Sequence, residues 1–462
     1  MGKILQNKLL YKIVFIVVGM FTAVPYIQQE YGKFVKVLLV WGLLIVAYDL
    51  ITDYKHILKD KMVLLLLAFL AFSGFTIGVM RSENFAENIK EWLYMLIFFL
   101  VIFRVNGKTR EEIKKEIRLI AYTILICTAI LSSLCMFTYF MGISDSYKVG
   151  RTVIYVGISG GRLWGLYNPN VGASIAIVSI VLSAFAMFTI KRKCIRVLLI
   201  LNLLVQYSVL ILSGSRTIQY GFVICSVVLT FGMLPLVVKK WSGMSVKHVL
   251  LRGGIAIVTA GLLLVLFKVS LPALSALPRM QTEVVNAAQE ETKASSDKYS
   301  TEIGRKDTGA DTMGGVLNGR QYLWGAAGKI LSEYPVLGVG YENIYQYGVD
   351  GITHKYYKNV FRRAGLLNGY LTILCASGIL GGIWMLWFFV SLMWKLLKKS
   401  GKIRQIQGNE WLIASAFLVL LFLLTELFEA RILYVVNVNM VLFWSIAGYA
   451  RSFTADKEGV TE

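Results

Sequence analysis

Histidine is nearly absent from this chain: His56, His248 and His354 are its only three, and they lie too far apart to form a metal-ligand pattern. Its five cysteines (Cys127, Cys135, Cys194, Cys225 and Cys375) sit in or beside apolar runs, with no CxxC spacing. That excludes a disulfide framework and a thiolate metal site, and leaves small buried hydrophobes. There is no Gly-rich phosphate loop, so nothing marks a nucleotide-sugar site, and no internal repeat of 20–50 residues. Acidic residues are also in short supply, with 27 Asp and Glu against 48 Lys and Arg, a net charge of +21. Such an excess suits nucleic acid, but the basic residues fall mainly in short loops between apolar runs. That placement is the positive-inside signature of a membrane protein, and nucleic acid is set aside as a partner.

What is abundant is apolar surface. Of 462 residues, 56% are hydrophobic, and the mean hydropathy is +0.64. A soluble chain of this size cannot bury so much, and apolar runs of membrane-crossing length recur throughout. The expected fold is an all-α polytopic membrane protein. With about 20 apolar residues per crossing, about twelve spans fall near 12–28, 34–51, 62–80, 89–105, 117–141, 170–190, 195–213, 217–238, 249–268, 367–394, 410–428 and 431–450. The first lacks a small-x-small cleavage site and reads as a retained helix.

Counting Lys and Arg orients the chain. With the N-terminus inside, cytoplasmic ends and loops hold 27, short outer loops hold 9, and one long loop holds 12. Only short loops count for this rule, so both termini are expected in the cytoplasm and the long loop outside. Three parts follow: a nine-span bundle over 1–268, an extracytoplasmic loop over 269–366, and a three-span bundle over 367–462. Within the loop, 269–317 is polar, mixed in charge and expected to be mobile. Residues 318–366 are expected to be structured, with short amphipathic helices.

"NGRQYLWGAAGKILSEYPVLGVG" (318–340) is the most informative part of that loop. Leu323, Trp324, Ala327, Ile330 and Leu331 recur at helical spacing, and Arg320 shares their face. Pro335 ends the helix, and Gly338 and Gly340 allow a tight turn. Arg320 therefore points toward the membrane domain. Two more outer arginines accompany it. Arg216 lies in "LSGSRTIQYG", a minimal turn between two spans, and Arg162 lies in "GGRLWGLYNPNVGAS". An arginine so near hydrocarbon needs an anion or carboxylate, and its planar fork suits phosphate oxygens. The alternative is ion pairing with Glu426 or Glu429, or of Glu426 with Arg216 or Arg431.

"GRLWGLYNPNVGA", "LSGSRT", "NGRQYLWGAAGKILSEYPVLGVG" and "LLNGYLTILCASGILGG" occur in this order, the last two flanking the end of the long loop. Together they resemble the O-antigen ligase and O-antigen polymerase superfamily, over roughly 160–390 at motif level and over the whole chain in span layout. The resemblance implies metal-independent glycosyl transfer, without a cofactor, on the outer face of the cytoplasmic membrane. The donor would be an oligosaccharide on undecaprenyl diphosphate and the acceptor another glycan. Membrane lipids, a chain-length regulator and a flippase would be its partners. It implies that Arg216, Arg320 and Arg162 neutralise the diphosphate leaving group.

One departure matters. Where the family has His-Asn at the start of the span after the long loop, this chain has Leu367-Asn368. An aliphatic side chain cannot take a proton. His354 and Glu426 are the candidate substitutes, with Asn168, Trp324 and Asn368 as candidate substrate contacts. Tyr322, Tyr341, Tyr345, Tyr347, Tyr356 and Tyr357 are candidates for stacking on sugar rings. The glycine-rich stretch Ala376–Trp384 is expected to allow close helix packing. The departure favours a polymerase for a capsule, exopolysaccharide or O-antigen over a ligase. A transporter of the same lipid-linked glycan would show paired repeats and broken helices, and neither is evident in the sequence.

Overall fold

The computed structural model describes residues 5–80, 84–105, 107–149, 152–238, 245–277, 319–400 and 408–454. The helices are α1 (Lys8–Thr22), α2 (Pro25–Thr52), α3 (Tyr54–Lys59), α4 (Lys61–Val79), α5 (Phe85–Ile97), α6 (Arg110–Phe140), α7 (Pro169–Thr189), α8 (Lys193–Leu212), α9 (Arg216–Val237), α10 (Val246–Ser275), α11 (Arg320–Glu333), α12 (Ile344–Gly348), α13 (Lys355–Ala364), α14 (Gly369–Ser400), α15 (Glu410–Thr425) and α16 (Val438–Thr454). Eight of them, α2, α4, α6, α7, α8, α9, α10 and α14, are long and apolar enough to cross a membrane. By helix length and hydropathy this is a multi-pass membrane protein. Each of the twelve expected spans overlaps a helix; the four outside the eight are α1, α5 with its π-helical continuation Phe98–Phe103, α15 and α16.

Caps set the starts. Asn7 accepts from Leu10 N at 3.1 Å, and Asp60 accepts from Met62 N and Val63 N at 3.1 and 3.2 Å. Thr109 and Glu112 form a reciprocal capping box at α6, and Asn168 caps α7, where Pro169 takes the first position. The centre of the bundle is aromatic. Trp444 of α16 is fully buried, 4.7 Å from Phe99 and 5.5 Å from Phe388, and its indole donates to Ile432 O at 2.7 Å. Outward faces are bare of partners and apolar, as at Val246, Ile257 and Leu262 of α10. In lipid such faces cost nothing, and cohesion inside comes from close fit and dispersion.

At one end of the bundle, charges tie the chain's two ends together. Arg104, 1% exposed, pairs with Asp49 at 3.4 Å and with Asp53, and Lys8 also pairs with Asp49. Arg451 pairs with Asp60 at 2.5 Å, and Lys12 lies over the Tyr449 ring at 4.7 Å. The first and last described helices therefore place Lys8 and Arg451 at the same end. Arg110 donates to Asn409 there at 3.2 Å, so α15 starts at this end and finishes at the opposite one.

Three features depart from the sequence reading. First, the fold is all-α apart from one small antiparallel sheet, β1 (Ser144–Val149), β2 (Thr152–Ser159) and β3 (Arg162–Gly165), in the order β1-β2-β3. The β-branched and aromatic run Thr152–Val156 carries the strand signal. A bulge at Gly157 and Ile158 shifts the register, so that Ser159 pairs with Arg162. Second, α10 runs to Ser275, so residues 269–275 complete a helix and are not part of a loose loop. The rest of the expected mobile stretch, 278–317, lies outside the described residues.

Third, α14 is broken. Gly378 has φ 63° and ψ −173°, a region open only to glycine. The segment after α11 repairs the break: Ile379 N donates to Pro335 O at 2.9 Å, Val339 N to Cys375 O at 2.8 Å, and Gly340 N to Ala376 O at 2.9 Å. Thr76 of α4 donates to Leu337 O at 2.6 Å. Backbone groups at this depth need internal partners, and residues 335–340 supply them. Glycine packing is present as expected at Gly381, whose missing side chain leaves room for Ser377 and Phe69. Gly378→Ala would put a side chain into the Val336 carbonyl. It should destabilise the protein by about 1–3 kcal/mol, read as a lower melting temperature in detergent. A wild-type melt would contradict the repaired-break description.

Candidate functional site

The turn from α15 to α16 organises the opposite end. Glu426, 3% exposed, folds back so that both carboxylate oxygens accept from Arg431 N, at 3.0 and 3.2 Å. Asn437 closes the far side, donating to Arg431 O at 3.1 Å and Val435 O at 3.0 Å, and it caps α16 by accepting from Met440 N at 3.0 Å. Tyr434 adopts φ 65°, unusual for a residue with a side chain. Its ring stacks parallel on Tyr341, 5.1 Å away, which ties the turn to the loop after α11.

Between these pins sit Glu429 and Arg431. Glu429 Oε2 is ion-paired with Arg431 at 2.8 Å. Its Oε1 accepts from Arg320 at 3.3 Å and from Asn170 Nδ2 at 3.0 Å. Asn170 Oδ1 in turn accepts from Arg162 at 2.7 Å. Each arginine also holds a backbone carbonyl: Arg162 that of Ser213 at 2.7 Å, Arg320 that of Phe428 at 2.9 Å, and Arg431 that of Asn170 at 3.0 Å. Arg320 and Glu429 are almost out of contact with solvent, at 9% and 4% side-chain exposure. Burial pushes the Arg320 pKa down, Glu429 pushes it back up, and Arg431 pushes it down again. An arginine so placed stays cationic. Three guanidiniums, those of Arg162, Arg320 and Arg431, thus gather around Glu429 and Asn170, with Glu426 bracing the turn.

The sequence candidates distribute as follows. Arg162 and Arg320 converge here, brought by β3 and α11. Asn168 serves the site indirectly, since its Oδ1 accepts from Asn170 N at 2.9 Å while capping α7. Arg216 opens α9, partly exposed. Its neighbour Thr217 is 3.5 Å from Arg320, and Gly214, two residues earlier, backs the Arg162 side chain. Asn368 caps α14, accepting from Leu371 N and donating to Leu427 O, both at 2.9 Å. Leu367 takes φ 49° beside it. Glu426 presses so closely on Gly369 that any side chain there would collide with it.

His354 and Trp324 are placed elsewhere. His354 is exposed and caps α13, accepting from Tyr356 N at 3.3 Å. Its ring lies 5.5 Å from Tyr357, which stacks on Tyr322 at 4.6 Å. Trp324 packs partly buried against the bundle core. Among the other tyrosines, Tyr341 stacks on Tyr434, Tyr347 meets Tyr334 edge-on at 5.3 Å, and Tyr345 faces Phe361 at 5.6 Å. Tyr322, Tyr356 and Tyr357 remain grouped around His354.

Of the residues at the hub, Glu429 and Arg431 entered the sequence reading only as ion-pair alternatives, and Asn170 only as a brace for a turn or helix start. The signal was three charges, Glu426, Glu429 and Arg431, interrupting an apolar run. The Arg320–Glu429 pair is the ion-pair alternative realised. Among the described residues no group of His, Cys, Asp and Glu forms a metal site. No family model matches the chain, and neither does any curated protein. Arg320→Ala should cost about 1–3 kcal/mol, because it strips one donor from a buried carboxylate. Adding Glu429→Gln should recover most of that loss in a thermal melt; purely additive losses would show that the two side chains do not depend on each other.

Proposed function

We propose that this protein is a polysaccharide polymerase of the O-antigen polymerase and ligase type. In this reading all twelve long segments cross the membrane, both termini are cytoplasmic, and the site of Arg162, Arg216, Arg320 and Arg431 opens on the outer face. The donor is an oligosaccharide repeat unit on a polyprenyl diphosphate, and the acceptor is a hydroxyl of another lipid-linked glycan. The observation that carries the reading is the gathering of Arg320 and Arg431 directly, and of Arg162 through Asn170, around one carboxylate at the end opposite Lys8 and Arg451.

The chemistry follows from where charge appears. Attack of the acceptor hydroxyl on the anomeric carbon breaks the glycosyl–phosphate bond; the electron pair leaves with the diphosphate, which also takes up the hydroxyl proton. Fixed guanidiniums in a site shielded from water stabilise that developing charge without having to reorganise. Arg320 and Arg431 are already held by backbone carbonyls, so they are oriented before substrate arrives. Catalysis in this reading rests on the leaving group, which fits the aliphatic Leu367 where the family places histidine. Glu426 acts as a positioning residue that shapes the turn bearing Glu429 and Arg431. Tyr356, exposed beside the half-buried stacked pair Tyr322 and Tyr357, offers a flat face for a sugar ring close to the start of α11.

A ligase that passes a finished glycan to another acceptor would use the same cluster. The break in α14 is the one feature a transporter would share, but residues 335–340 fill it and leave no open polar site there. Arg320→Ala and Arg216→Ala should each lower polymer formation by about 10²–10³-fold, the usual cost of a lost transition-state donor. The assay is the chain-length distribution of surface polysaccharide at equal membrane abundance, and unchanged distributions would remove the diphosphate role. His354→Ala and Glu426→Gln should retain polymer formation. Its complete loss in either variant would bring that residue into the reaction as the base.

A further inference from the structure

Glu426 and Glu429 lie three residues apart and are held in different ways. Glu426 is a local brace: its carboxylate binds the backbone N–H of Arg431 in its own turn. Among the described residues Glu429 is held by side chains, accepting from Asn170 and Arg320 and pairing with Arg431. Each of the guanidiniums involved has a second anchor. Arg320 holds Phe428 O and Arg431 holds Asn170 O, while Arg162 holds both Ser213 O and the Asn170 side chain. Without the Glu429 carboxylate each of these arginines would still have a backbone carbonyl to hold. A planar carboxylate also presents its oxygens to a guanidinium fork much as a phosphate does.

We propose that Glu429 is an internal stand-in for the substrate's phosphate. It keeps the donor array assembled in the empty site and yields its place when a diphosphate enters. The idea rests on reading the cluster as a diphosphate site. It adds a selectivity rule, because an incoming anion has to outcompete a carboxylate already held by three donors. A diphosphate carries enough charge to do so, and a monophosphate competes poorly.

Purified protein in neutral-lipid nanodiscs, titrated with inorganic pyrophosphate and inorganic phosphate, tests this directly. Wild type should bind pyrophosphate in preference to phosphate, and Arg320→Ala should lose that binding. Glu429→Gln, which keeps the shape and removes the charge, should bind pyrophosphate about tenfold tighter and discriminate less against phosphate. Glu429→Asp withdraws the carboxylate by one methylene and should shift both readings in the same direction by a smaller amount. It serves as the independent variant if the amide folds poorly. Wild-type binding that depends on Arg320, together with unchanged or weaker pyrophosphate affinity in the Glu429 variants, would overturn the stand-in and leave the diphosphate site standing. Absence of pyrophosphate binding in wild type and both Glu429 variants would remove both.

Discussion

A buried carboxylate between guanidiniums is the interaction on which one end of the bundle depends. Removing charges from water is expensive, and the cost is recovered only where geometry is good and every oxygen is satisfied. Glu429 meets that condition with partners from α7, from α11 and from its own turn, and Arg162 of β3 joins through Asn170. It therefore links distant parts of the chain. The sheet and the loop helix each make sense as carriers of one arginine. Charges at the other end, Arg104 with Asp49 and Arg451 with Asp60, hold the helix ends in register by the same physics.

Arg320 reaches the cluster because the segment around it is anchored twice. The apolar face of α11, with Leu323, Ala326, Ala327 and Ile330 all buried, sets its rotation. The chain then continues into the gap of α14, where Pro335, Val336, Val339 and Gly340 complete the broken helix's hydrogen bonds. A segment linking two helices would ordinarily be too mobile to hold a guanidinium on a carboxylate. Joined to the membrane bundle in this way, it becomes part of the rigid frame, which a preorganised cation site requires.

Much of this was legible in the sequence, for physical reasons that differ by element. The long helices announce themselves by apolar runs, and α11 by the spacing of Leu323, Ala327 and Ile330 with Arg320 in phase. Arg162 and Arg320 stood out because a charge beside hydrocarbon demands a partner. Residues 144–165 lay between two expected spans and drew no strand reading, although Thr152–Val156 carries a strand pattern, because short strands give a weak signal beside strong helical ones. The break at Gly378 was hidden because a glycine in an apolar run suits close packing as well as a kink. Glu429 and Asn170 could not be assigned from spacing, since their significance lies in contacts across 259 positions of chain. His354 and Trp324 drew attention by residue type alone, and the fold uses them as a helix cap and a packing residue.

The central claim is that this arginine cluster draws a diphosphate out of a lipid-linked glycan and so lengthens a polymer. The most direct measurement uses purified protein in vesicles supplied only with polyprenyl-diphosphate-linked repeat units. The expected result is lipid-linked glycan of two or more units, with free polyprenyl diphosphate released in step. Movement of intact repeat units across the bilayer without any change in their length would contradict it.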